Sequence, residues 1–539
     1  MPPLAVCMAA VLSGSGIAAD IVNPHVTTDR SVDTSSVAAM VKSLIKPGMT
    51  DEDKALAVYN FIRRTMFHYR YLTRYAGGGT MDLINGVGYC LCTPTAGTQA
   101  RLCTAAGLKG HVLNTPGHGS VTVFYGGQWH WMDAFMGGCV WNKKRTGIAS
   151  LTEVQADPAL LKRKDPSPVP LLPCGAVLYQ DSLRWEPDNK KYHAACGPDD
   201  LAWAARAKPG KHRPMVWGDV SSLDITLRPG ETYARFWDHE PGMYFLFRTG
   251  KEFAPPHHFC GVAAERRDTV NWPYWKPYVK EIESTDPETG KKVTVRTGRY
   301  WANGRLTWKP DLTSADVLQH FAVARNVRVD AAKGELVPID PDKPAVVEWT
   351  VACPYMLQGG WLQAKVAGDV AASIKVSVRK KPARSEPMDL RDAPGGKAKR
   401  APLRPHFLKA RGTRGYTLRL ELKGKDARVG AIELVTIFQH NMYALPQLMP
   451  GKNVVKVTVG RPEALKRTRL VLEYAWDQGG KTVTERRVVD TSPYAFSTDI
   501  PGDDLPRMRH LTLTNEGPPQ PALGAGPKKE EAPTEEKPR

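Results

Sequence analysis

Two cysteines one residue apart in GYCLCTPTAG, Cys90 and Cys92, are followed within a short span by His118, His130 and Asp133 in HGSVTVFYGGQWHWMD. Together these residue types can carry out acyl chemistry. A cysteine attacks as its thiolate, which needs a histidine to take or share the thiol proton and a carboxylate to orient that histidine and favour its charged form. A cysteine pair alone reads as two buried structural thiols. The full set of Cys92, His118 and Asp133 shifts the reading to a catalytic triad, working or ancestral.

Such a triad needs a helix and a hairpin to hold it. Thr93 and Pro94 suit the cap and first position of a helix that runs to Ala106 and stops at Gly107, with Cys92 at its N-terminus. Backbone N–H groups and the positive end of the helix dipole at that point stabilise a thiolate and a developing oxyanion. Beyond Gly107, HVLNT, GSVTVFY and QWHWMD read as strands, and Gly126-Gly127 as a tight turn. In that register Tyr125 faces Gln128 and Ser120 faces Asp133, so Asp133 is the diagonal neighbour of His118 at about 7–8 Å between backbones. His130, opposite Val123, belongs to the other face and is the weaker catalytic candidate. Trp129 and Trp131 share the His118 face, either as shields against water or as core aromatics. Upstream, TDEDKALAVYNFIRR has a capping Thr50 and an apolar face, and predicts a helix over 50–64. A second helix is expected over 35–46.

GYCLCTPTAGTQARLCTAAGLKGHV with HGSVTVFYGGQWHWMDAF resembles the core of the transglutaminase-like superfamily. The shared pattern is a Cys at a helix start, a small residue four positions on, a Gly ending the helix, a strand beginning with His, and a second strand ending in Asp after an aromatic. Cys92, Ala96, Gly107, His118 and Asp133 fit it, within residues 50–137. Gly119 and Ser120 depart from the small residue and Trp that commonly follow the family's histidine. A literal Gly-x-Cys selects Cys90, whereas the distance to Gly107 selects Cys92; two extra helical residues turn a side chain by about 200°. The resemblance implies a papain-like α+β fold and acyl chemistry at amide bonds, either peptide hydrolysis or transfer of a glutamine acyl group to an amine. It implies no metal and no organic cofactor.

A chain of 539 residues is too long for one core. From about 168 onward it is mostly short alternating strands between Pro and Gly turns, as in IKVSV, YTLRLEL and LVLEYAW. The expectation is an α+β, papain- or transglutaminase-like N-terminal domain followed by β-rich domains of antiparallel β-sandwich type. The segments are 1–20 as a candidate signal, 21–160 as the core, 161–345 as a β-rich middle, 346–515 as a C-terminal sandwich and 516–539 as a disordered, Pro-rich charged tail. The apolar stretch 4–12 and Ala18-Ala19 form an atypical export signal without a basic n-region, pointing to a secreted, periplasmic or cell-surface protein. No apolar run spans a bilayer.

Lys and Arg outnumber Asp and Glu by 74 to 55, a net charge of +19 that favours polyanions, acidic proteins or anionic surfaces as partners. No nucleic-acid module accompanies it. The basic run 379–414 reads as solvated loops. His257, His258 and Cys260 lack a second ligand cluster and read as a loop; VNWPYWKPY reads as packing. Two functions follow: a cysteine amidohydrolase or acyltransferase acting on peptide or protein amides, or a non-catalytic exported cell-surface binding protein with a degenerate core, whose sandwiches recognise polysaccharide or protein.

Overall fold

The computed structural model describes residues 18–68, 79–90, 92–115, 118–134, 139, 141–157, 159–160, 222–238, 240, 243, 280–286, 288, 290–297, 302–377, 384–410 and 413–518. The histidine pair with Cys260, the VNWPYWKPY segment and the tail from 519 lie outside those residues.

Helix α1 (Val37–Leu44) starts at Ser36, whose side chain accepts from the Ala39 N–H. Helix α2 (Asp51–Thr65) starts with a complete capping box: Thr50 accepts from the Asp53 N–H while the Asp53 carboxylate accepts from the Thr50 N–H. Helix α3 (Cys92–Ala105) begins earlier than the Thr93 cap expected from sequence. Pro94 therefore lies within the first turn, where the N–H groups have no intrahelical acceptor and a proline forfeits nothing.

Three antiparallel strands follow: β1 (Lys109–Thr115), β2 (His118–Tyr125) and β3 (Gln128–Trp131). Tyr125 pairs with Gln128, Phe124 with Trp129, Val123 with His130 and Thr122 with Trp131. Gly126 and Gly127 take φ of 56° and 77°, the two consecutive left-handed residues that a tight hairpin with matching twist demands. One face of this sheet receives α3 and carries the buried Val112, Val121 and Val123. Gly119 lets the helix come close, for a Cβ there would lie 2.6 Å from Thr93 Oγ1 and 3.0 Å from Thr93 Cα.

The rest is antiparallel β structure. A 14-stranded sheet runs in the order Arg391–Asp392, Lys399–Pro402, β6 (Met356–Val376), β7 (Gly415–His440), β5 (Ala302–Trp308), β4 (Glu231–Phe236), β9 (Arg507–Asn515), β8 (Leu470–Gln478) and Lys481–Val489, with further strands pairing off this path. Register shifts between Leu357 and Gly359, Gln363 and Lys365, and Ala367 and Asp369 bend the long β6–β7 pair. One half of β7 thereby pairs with Ala345–Ala352 and the other half with β5. Because β4 and β5 pair with β9 and β7, the boundary expected at 345 does not separate two sheets. The basic run is likewise no plain loop. It contains strands Ser385–Met388 and Lys399–Pro402 and helix α4 (Arg404–Ala410), anchored by the buried Ala401, Leu403 and Phe407.

Asn441, just after β7, joins the helical region to this sheet. Its N–H donates to the Asn85 carbonyl at 2.7 Å, and its Nδ2 donates to the carbonyls of Thr65 at 2.7 Å and Ile84 at 2.6 Å. Thr65 is the last residue of α2, so this amide satisfies a carbonyl that the helix leaves open. Gly88 closes the π-helical turn Asp82–Val87 with φ of 72°, and a Cβ on it would lie 2.6 Å from Asn441 Cγ. Gly88→Ala should therefore combine left-handed strain with a buried clash and lower the unfolding free energy by about 2 kcal/mol or more. Chemical denaturation measures this, and a variant as stable as the parent would contradict the packing described.

Candidate active site around Cys92

Cys92 is the first residue of α3 and is half-buried, with Thr93 Oγ1 at 4.0 Å from its sulfur. Cys90 lies at a different depth. It is fully buried, its sulfur is 3.1 Å from Thr95 Oγ1, and burial pushes its thiol up to about 12. Cys103 and Cys353 are buried too and pushed up to about 12 for the same reason. Neutral buried thiols of this kind pack as small apolar groups and do not attack.

His118 opens β2 and pairs through its backbone with Thr115; its side chain lies outside the described residues. Gly119, the next residue, rests on Thr93. The chain just after His118 is thus in contact with the chain just after Cys92. Asp133 lies just past β3 and is 2% exposed. The hairpin ladder runs on toward it, with the Met132 N–H donating to the Val121 carbonyl at 2.9 Å.

Gln99 carries a signal that sequence reasoning missed. It lies on α3 two turns beyond Cys92 and is fully buried. Its Nε2 donates to the Met132 carbonyl at 2.9 Å and its Oε1 accepts from the Ala134 N–H at 3.3 Å. One amide therefore grips the chain on both sides of Asp133 and ties it to the helix that begins at Cys92. The clue was present in the sequence as an amide side chain between Thr98 and Ala100 in a helix of mostly small residues, since a buried amide must find partners.

The two sheet faces differ. His130 is 8% exposed, stacks on Tyr125 with ring centroids 3.7 Å apart, and holds the Ile148 carbonyl through Nδ1 at 3.0 Å. Burial lowers its pKa, so it is a neutral structural histidine. Trp131 is 1% exposed and donates from Nε1 to Ser120 Oγ at 3.1 Å, while Trp129 packs between His111 and Phe124. Val121 and Val123 face α3, so strand alternation places Ser120 and Trp131 on the opposite face, the one that the sequence register also assigns to His118 and Asp133. The first turn of α3 meets this sheet at the start of β2.

Among the described residues, no group of three or more His, Cys, Asp or Glu side chains could hold a metal ion. No described helix is long and apolar enough to cross a membrane. No family model matches the chain, and no curated protein matches it.

Depth sorts these thiols. Iodoacetamide applied to the folded protein near neutral pH should modify Cys92 and leave Cys90, Cys103 and Cys353 untouched until denaturant is added. Peptide mass mapping reads the pattern, and modification of Cys90 in the native state would contradict its burial.

Proposed function

We propose that this chain is an exported cysteine amidohydrolase or acyltransferase of transglutaminase-like type, with Cys92, His118 and Asp133 as its triad in a papain-like α+β N-terminal domain. The observation that carries this reading is the contact of Gly119 with Thr93, which joins the backbone beside His118 to the start of the helix headed by Cys92. Burial of Cys90 and the structural role of His130 remove the nearest competitors for nucleophile and base.

In the proposed reaction His118 accepts the Cys92 thiol proton and the thiolate attacks the carbonyl carbon of a peptide or glutamine amide. N–H groups of the first turn of α3, unbonded within the helix, donate to the oxyanion. The C–N bond then breaks as His118 returns the proton to the leaving amine, leaving an acyl thioester on Cys92. Water or a second amine, deprotonated by His118, attacks the thioester and releases acid or new amide. Asp133 orients the imidazole and stabilises its charged form, and the Gln99 grip holds the Asp133 backbone still. The excess of basic residues suits acidic protein substrates or surface polyanions as partners.

The test pairs labelling with turnover. Cys92 should react with iodoacetamide faster than a simple thiol, with the advantage growing as pH falls below 8, and His118→Ala should abolish that advantage. On a peptide library offered with and without a fluorescent amine, Cys92→Ala and His118→Ala should each lower turnover by about 10³-fold or more. Labelling that ignores His118, together with no Cys92-dependent turnover, would defeat the enzymatic reading and leave a binding protein with a degenerate core.

A further inference from the structure

Strands Lys280–Thr285 and Lys292–Thr297 form a hairpin that, among the described strands, pairs with nothing but itself. A lone two-stranded hairpin is marginal in water, so its order depends on what anchors it. The anchor is Glu288, in the loop between the two strands. It is 6% exposed, and its Oε1 accepts from the Gly360 N–H at 2.7 Å and from the Arg404 N–H at 3.0 Å. The fold leaves both donors open. Strand Lys399–Pro402 pairs with β6 only as far as Pro402 opposite Trp361, one residue short of Gly360. Arg404 opens α4, where N–H groups find no acceptor within the helix. Gly359 makes room for the carboxyl, since a Cβ there would lie 2.7 Å from Glu288 Oε1 and 2.9 Å from Met243 Sδ.

Such a seat suits a carboxyl that keeps its proton. Neutral, the group still accepts both N–H bonds through Oε1, whereas ionised it is a charge that burial has stripped of water. Burial pushes Glu288 up to about 7; its two N–H partners and the charge of Arg404 on α4 act against that shift, and Asp286 in the same loop adds to it. β6 brings only Gly359 and Gly360 to the contact, and Met243 is apolar. Out in water the carboxyl returns to its ordinary value of 4.5. The docked hairpin therefore holds a proton that the undocked one gives up, so docking weakens as pH rises from 4.5 to about 7 and levels off above that. We propose that this hairpin is a pH-sensitive strap, seated on β6 and α4 through Glu288 in acid and loosened as the medium turns neutral. Loosening frees the N–H groups of Gly360 and Arg404 and withdraws the carboxyl from Met243, which belongs to a small apolar cluster with Trp361, Val435 and Ile437. The proposal is independent of any chemistry at Cys92.

Hydrogen–deuterium exchange on the full chain at about pH 5 and about pH 8, corrected for the intrinsic chemical rate at each, tests it. In the parent, peptides covering 280–297 should lose protection by about tenfold or more from the lower pH to the higher, while β8 and β9 keep theirs. Glu288→Gln carries an amide that stays neutral and can accept the same two N–H bonds, so its hairpin should be equally protected at both pH values. Glu288→Ala should leave the hairpin unprotected at both. Equal protection of the parent hairpin at the two pH values, a parallel loss in Glu288→Gln, or a hairpin still protected in Glu288→Ala would each overturn the proposal. If neither variant folds, the parent decides alone: a loss confined to the hairpin supports the strap, and a loss shared with β8 and β9 overturns it.

Discussion

The start of α3 rests on β2 at Gly119, where a side chain would run into Thr93. That close approach fixes how the helix headed by Cys92 lies against the strand headed by His118. Any residue with a Cβ would force the two apart, and in the proposed triad a misplacement of about 1 Å would cost on the order of 10²-fold in rate. The helix then does a second job two turns on. Gln99 grips the backbone on either side of Asp133, so the same rigid element that carries the proposed nucleophile also fixes the backbone around the proposed orienting residue. A rod anchored at both places cannot slide along the sheet without breaking buried hydrogen bonds.

Burial decides what each thiol can do. Cys90 and Cys92 stand one residue apart, yet one is enclosed and kept neutral to about pH 12 whereas the other is half-open at a helix N-terminus. The hydroxyl of Thr95 beside Cys90 is too weak a partner to offset the loss of water around a thiolate. The histidines divide in the same way. His130 is stacked, hydrogen-bonded and neutral, and its ring serves the core beneath the hairpin.

The large sheet is more than an appendage to the helical region. Asn441 and Arg414, which flank β7, reach α2 and the turn before Gly88, the latter through the ion pair of Arg414 with buried Asp82. Removing the sheet would strand the carbonyls of Thr65 and Ile84, so the segment leading into Cys90 depends on residues more than three hundred positions away. This dependence runs against a picture of independent modules in sequence order, and the pairing of β4 and β5 across the expected boundary at 345 points the same way.

The sequence by itself determined the local events. Thr50 with Asp53 writes a capping box, Gly126-Gly127 writes a tight hairpin, and the Tyr125–Gln128 pairing follows with its whole register because side chains in a strand alternate strictly. Alternation in YTLRLEL likewise marked the start of β7 as a half-buried strand, whereas LVLEYAW forms a strand, β8, with Val471 and Ala475 buried as well as the alternating large residues. Tertiary structure alone decided which strands pair at long range, how a run of Lys and Arg becomes strands and a helix over a few buried apolar residues, and how Gln99 and Asn441 acquire roles. The physical reason is that propensity and periodicity act over a few residues, whereas burial, the close approach of two backbones and the search of a buried polar group for partners depend on chain segments that meet only once the fold is complete.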